Sequence, residues 1–238
     1  MKAAGRTDTG KMRNKNEDNF TIRKKPYPIL AVADGMGGHK AGDVASKIVI
    51  DVVNDYDFSS EKLNVETMEN MVKKANETVL QKGEENPNYR GMGTTLSAGA
   101  FLKDELFYGH VGDSRIYLHR DNNLTKISRD DSLVAKMVEE GKISEQEAFQ
   151  HPRSNVLTQA IGLEENLEIE TGVIKLIPED LLLFCTDGLT DMIPESEIEA
   201  TISGCAKENV EKICDLLLET ALAAGGSDNI TIVAGWFS

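Results

Sequence analysis

Apolar positions along the chain fall into two kinds of pattern, short continuous runs and helical stripes. Runs at residues 29–33 and 181–185 each stop at an Asp-Gly step, which reads as a buried strand entering a glycine turn. Residues 229–237 predict a last strand after Gly225-Gly226-Ser227-Asp228. Between 94 and 127, segments rich in Phe, Tyr, Ile, Val and Leu are separated by turn signals at 103–105, 112–114 and 121–123, and predict an antiparallel meander. Helical spacing covers 41–54, with Val44, Ile48 and Val52 on one face, and 65–81, with Met68, Val72, Ala75 and Val79. Residues 132–140, 144–149 and 209–223 also read as helices, the second opening on the capping box Ser144-Glu145-Gln146-Glu147. Strands in meanders and helices in separate groups predict an α+β layered domain. The stretch 149–162 is irregular and has the character of a lid or binding loop.

Composition narrows the class. A 238-residue chain that is 40% hydrophobic can bury one substantial core, so 1–238 is expected to be a single domain. A formal charge of −14 repels nucleic acid and anionic lipid. Cys185, Cys205 and Cys214 have no disulfide or zinc spacing and fit a reducing cytoplasm. The first 18 residues carry no apolar signal core, and no run approaches the length of a bilayer span. A cytoplasmic monomer is the expectation.

Asp34, Asp113, Asp187 and Asp228 each stand where a predicted strand meets a glycine-containing turn. A lone Asp-Gly is usually a turn residue capping its own backbone, but four such sites are a different matter. If the strands lie side by side, their ends bring several carboxylates to one sheet edge, where repulsion is tolerable only with cations present. Oxygen ligands suit Mg²⁺ or Mn²⁺, while four His residues give zinc little support. Two such ions about 3.5 to 4 Å apart can clamp a phosphoryl group, which makes phosphate ester hydrolysis the natural reaction. Asp34 is the candidate for the shared ligand. In Arg13-Asn14-Lys15-Asn16-Glu17-Asp18, Arg13 could grip phosphate oxygens and Asp18 could orient water, although such a hexapeptide alone is more often a solvated loop.

In order, Thr7-Asp8-Thr9-Gly10 through Arg13, Asn16-Glu17-Asp18, Ala33-Asp34-Gly35-Met36-Gly37-Gly38, Gly93-Thr94-Thr95, Gly109 to Arg115, Leu157 to Gly162, Thr186-Asp187-Gly188-Leu189 and Ser227 to Thr231 resemble the motif series of the metal-dependent type 2C protein phosphatases. The Gly-Met-Gly-Gly form resembles the bacterial branch. The resemblance implies a four-layer α-β-β-α sandwich, two mainly antiparallel sheets flanked by helices, with metals at one end. It implies that Asp34 bridges two Mn²⁺ or Mg²⁺ ions. Asp187 and Asp228 would complete one site and the Gly35 carbonyl the other. Asp18, with Glu17, would act through ordered water, Arg13 would bind phosphate, and Asp113 would join Asp187 at a third, weaker ion. A flap-like segment would span about 140–165. The implied partners are phosphorylated proteins that are substrates of a bacterial Ser/Thr kinase. Two alternatives are a catalytically silent phosphoprotein-binding domain and a hydrolase of small phosphate esters. Retention of Asp34, Asp187 and Asp228 disfavours the silent domain.

Two positions depart from the family pattern. Animal-type relatives carry His after Asp-Gly as a proposed general acid; Met36 stands there, and water at the metals takes over as the leading proton donor. His39 reads as a surface residue at a helix start. Asp131 occupies a place where relatives usually show His. Cys185 reads as buried packing.

Overall fold

The computed structural model describes residues 1–36, 41–58, 62–149 and 151–238. The chain begins with β1 (Lys2–Asp8), β2 (Asn19–Arg23), β3 (Ile29–Ala33) and the short β4 (Gly35–Met36), then α1 (Gly42–Asp55) and α2 (Val65–Glu85). Next come β5 (Gly93–Thr94), β6 (Leu96–Leu102), β7 (Glu105–Val111), β8 (Arg115–Arg120) and β9 (Asn123–Lys126). The segment with α3 (Leu133–Glu139) and α4 (Glu145–Phe149) follows, and then β10 (Glu170–Lys175) and β11 (Leu181–Cys185). Finally α5 (Asp187–Thr190), α6 (Glu195–Ser203), α7 (Val210–Ala224) and β12 (Ile230–Trp236) close the chain. Among the described residues no helix is long and apolar enough to cross a membrane.

Ten of these strands form two antiparallel five-stranded sheets, ordered β1-β12-β11-β8-β9 and β10-β7-β6-β3-β2, and β4 pairs with β5 separately. Leu30, Val32, Leu106, Ile116, Leu182 and Phe184 fill the space between them and are fully buried. Burying a side chain of that size is worth about 1.5 to 3 kcal/mol, so this inner layer is a main source of stability. On one outer face α1 and α2 pack on the sheet containing β3, around Val49, Met68, Val72 and Val79. On the other, α6 and α7 cover β11 and β12 through Ile198, Ile213 and Leu217. The result is the expected four-layer sandwich.

Several details differ from expectation. The predicted meander breaks at Gly112, because β7 lies in one sheet and β8 in the other. The crossing needs an unusual backbone: Gly112 has φ +108°, and an added Cβ would meet Thr95 Cγ2 at 2.6 Å. Turn signals mark where a chain reverses but not which sheet the next strand joins. On α1 the buried apolar side chains are Ala45, Val49, Ile50 and Val53, while Val44, Ile48 and Val52 are only partly buried. This helix packs against both a sheet and α2, so two faces are covered and the stripe chosen from spacing is the lesser one. The α2 residues Met68, Val72, Ala75 and Val79 are buried as predicted. The capping box at α4 forms, with the Ser144 N–H donating to Glu147 Oε2 at 2.8 Å and the Glu147 N–H to Ser144 Oγ at 3.3 Å. Strand β1 had no local signal, since Lys-Ala-Ala-Gly is poor in strand formers; its pairing with β12 creates it.

Candidate metal centre

In antiparallel sheets the end of one strand lies beside the start of its neighbour, and this register assembles the acidic cluster. Asn19 pairs with Ala33, which sets Asp18, just before β2, beside Asp34, just after β3. In the other sheet Cys185 pairs with both Ile232 and Arg115. Asp187 after β11, Asp228 before β12 and Asp113 before β8 therefore share one edge. Packing the sheets face to face brings the two groups to the same end of the sandwich.

Direct contacts tie the cluster together. Thr186 Oγ1 donates to Asp18 Oδ2 at 2.8 Å, linking the two sheets. Asp34 and Asp187 are close enough to shift one another's ionisation, Asp187 raising Asp34 and Asp34 lowering Asp187. Burial holds Asp34 well above the carboxylate range, and repulsion from Asp18, Asp187 and Asp113 adds to it. Burial pushes Asp187 up to about 6 and Asp18 up to about 7, with Asp228 contributing to both. Asp113 is raised by burial, then by Asp187, Asp130 and Asp191. Among the described residues Asp18 Oδ1 and Asp187 Oδ1 are buried without a hydrogen-bond partner. Oxygens of that kind are the donors that Mg²⁺ and Mn²⁺ prefer, so the residues present fit a hard divalent cation. Among the described residues no three His, Cys, Asp or Glu side chains form a finished cation site. The carboxyls share one end of the fold without converging on a common point, and part of them is engaged otherwise.

Arg13 is one such engagement: its Nη2 lies 2.6 Å from Asp228 Oδ2, on a half-exposed side chain. Asn229 anchors the N-terminal loop beside it. Its Oδ1 accepts the Glu17 N–H at 2.8 Å, and its Nδ2 donates to the carbonyls of Thr9 and Lys15 at 2.9 Å. Gly35 is buried in β4, paired with Thr94, and Met36 lies beside it opposite Gly93. His39 and the Gly37-Gly38 part of the motif lie outside the described residues. Cys185 is fully buried in the apolar strand, and burial pushes its thiol up to about 12, as expected of a packing residue.

Sequence reasoning missed three contributors. Asp191 stands at the exposed rim one turn after Asp187, and crowding on its inner side together with Asp187 holds its carboxyl above the usual range. Arg115 pairs with the buried Asp130 at 2.8 Å and lowers the cost of ionising Asp113 and Asp187. The spacing Asp187-x-x-x-Asp191 could have pointed to the first; nothing local pointed to the Arg115–Asp130 pair.

This electrostatic crowding predicts a pH dependence. A carboxyl whose folded value is raised stabilises the fold fully below its unfolded value, about 3.9, and loses that contribution as pH rises through the folded value. With Asp187 at about 6 and Asp18 at about 7, chelator-treated protein is expected to lose stability from about pH 4 to 7. Thermal melts across that range check this, and Mn²⁺ at neutral pH should restore the loss by binding the folded state. In Asp18→Asn the decline should be smaller; the same slope as the parent chain would remove Asp18 from the account.

Residues 11 to 223 match the family described as Protein phosphatase 2C. The serine/threonine phosphatase stp of Listeria welshimeri is 39% identical over 240 residues, spanning 98% of this chain and 94% of that protein. The crystal structure of serine/threonine phosphatase Stp1 from Staphylococcus aureus superposes with a TM-score of 0.92 at 33% identity, covering 99% of this chain and 94% of that one. The catalytic domain of the serine/threonine protein phosphatase PstP, solved in complex with two manganese ions, gives 0.86 at 34% identity, covering 98% and 96%.

Proposed function

Because the chain belongs to the protein phosphatase 2C family, we propose that its acidic edge carries out metal-dependent hydrolysis of phosphoserine and phosphothreonine in proteins. The observation that carries this reading is the cluster of mutually repelling carboxyls in which Asp18 and Asp187 keep unpartnered, buried oxygens. The manganese-bound PstP domain supports the class of ion. In this reading residues 1–238 are one catalytic domain with a flap-like segment at about 140–165.

When bound, Mn²⁺ or Mg²⁺ supplies Lewis-acid polarisation of the phosphoryl group and lowers the pKa of attacking water. Asp34 would be the ligand common to two core ions, with Asp187 and Asp228 holding one of them and the Gly35 carbonyl the other. Asp113 and Asp187 would hold a third, weaker ion. Asp18, held by Thr186, orients water rather than drifting in the cleft. Arg13 stands beside Asp228 at the half-exposed mouth, where its planar fork can turn to two phosphate oxygens. The substrates are proteins phosphorylated by a Ser/Thr kinase, met in the cytoplasm by a monomer.

The test is hydrolysis with Mn²⁺ of phosphoserine and phosphothreonine peptides against phosphotyrosine peptides and sugar phosphates. The first two should show the highest kcat/KM; a preference for the sugar phosphates would overturn the protein-substrate reading. Arg13→Ala is expected to raise KM roughly tenfold or more, the scale of one lost charge-assisted hydrogen bond, with a smaller change in kcat. An unchanged KM takes Arg13 out of phosphate binding.

A further inference from the structure

We propose that Asp131 is a positioning residue that ties the root of the flap segment to the turn bearing Asp113, and so sets the hold on the third cation. This rests on the reading that Asp113 contributes to such an ion.

The contacts are specific. Asp131 is 7% exposed. Its Oδ2 accepts the Gly112 N–H at 2.9 Å, and its own N–H donates to the Gly112 carbonyl at 2.7 Å. One residue thus satisfies both sides of Gly112, the glycine whose left-handed backbone carries the chain from one sheet to the other. Asp113 is the next residue, so its Cα direction follows from how that peptide is held. The Asp131 carbonyl meanwhile accepts the Thr158 N–H at 2.8 Å. Ser132 bridges Leu157, and the Leu133 N–H donates to the Val156 carbonyl at 2.8 Å. Residues 131–133, ahead of the flap segment, are therefore zipped to 156–158 within it, at the residue that grips the Asp113 turn.

The remaining side of the turn is held without the flap. Thr95 Oγ1 and Ser114 Oγ are 2.6 Å apart, and Ser97 Oγ donates to the Ser114 carbonyl at 3.0 Å. The neighbouring Asp130 is engaged by Arg115 and Lys126. Removing the Asp131 carboxylate thus takes away one specific link, the acceptor of the buried Gly112 N–H. A supporting group of this kind, placed behind a ligand, commonly changes metal affinity without touching the ion.

The experiment uses the full chain with Asp131→Ala, Asp131→Asn and, separately, Asp113→Ala. Mn²⁺ titration by calorimetry is read alongside amide hydrogen exchange in chelator. Asp131→Ala should weaken the weakest Mn²⁺ class roughly tenfold, leave the tighter ions unchanged, and speed exchange at Gly112 and Thr158 together. Asp131→Asn keeps the acceptor and should restore both readouts, which a general loss of packing would not allow. In the Asp113→Ala background, Asp131→Ala should have no further effect on Mn²⁺. Faster exchange at Gly112 with Thr158 unchanged, or unaltered Mn²⁺ affinity in Asp131→Ala, would overturn the link. If Asp113→Ala itself leaves every Mn²⁺ class intact, the third-ion reading fails, and paired exchange at Gly112 and Thr158 still decides whether Asp131 joins flap and turn.

Discussion

Asp34→Asn is expected to lower Mn²⁺-dependent hydrolysis of a phosphoserine peptide by on the order of a thousandfold, the scale on which deleting one preorganised electrostatic group acts. The residue sits just beyond β3, beside Asp18, and burial with repulsion from Asp18, Asp187 and Asp113 holds its carboxyl well above the usual range. Asn has nearly the same volume, so packing is preserved while the charge meant for two ions is gone. The fold should survive: melts in chelator at neutral pH should be equal to or higher than those of the parent chain, because one source of repulsion among Asp18, Asp113 and Asp187 is removed. Kinetics at saturating Mn²⁺ together with thermal melts test this. Activity within about tenfold of the parent would show that Asp34 is not the shared ligand.

Gly188→Ala should damage stability and cation binding together. A Cβ at Gly188 would lie 1.9 Å from the Asn229 carbonyl oxygen and 2.9 Å from its carbon, both backbone atoms. That backbone cannot retreat easily. Asn229 is held through its side chain to Thr9, Lys15 and Glu17, and the Thr186 N–H donates to the Thr231 carbonyl at 3.1 Å. Overpacking typically costs about 1 to 3 kcal/mol, and a contact with fixed backbone belongs at the upper end. For a chain of this size each kcal/mol lowers the melting temperature by about 2 to 4 °C. Because Asp187 and Asp228 flank the point of contact, relief of the clash moves them apart, and Mn²⁺ affinity should fall with stability. A variant that melts and binds Mn²⁺ like the parent would show that the close approach is not needed. This contact is the physical meaning of the Asp-Gly pairing in the sequence: the glycine admits the neighbouring loop, and the aspartate beside it thereby meets its partners.

Much of the architecture was legible because it depends on neighbours close in the chain. The apolar runs that became β3 and β11, the buried stripe of α2 and the capping box of α4 are read from residues a few positions apart. The identities of the acidic residues were legible as well, since Asp at a strand end next to glycine is a chemical statement wherever the strand goes. The tertiary structure alone decided pairings between distant residues. Lys2 opposes Trp236 and turns an unpromising segment into a strand. The crossing at Gly112 sends β8 to the other sheet, and without it Asp113 would not lie on the edge shared by Asp187 and Asp228. Burial by both α2 and the sheet chose the face of α1. Asp191, the Arg115–Asp130 pair and the grip of Asp131 on Gly112 likewise arise from segments meeting in space. Local periodicity reports what a segment would bury, while charge repulsion, register and close backbone approach depend on which other segment it meets, and only the folded chain supplies that partner.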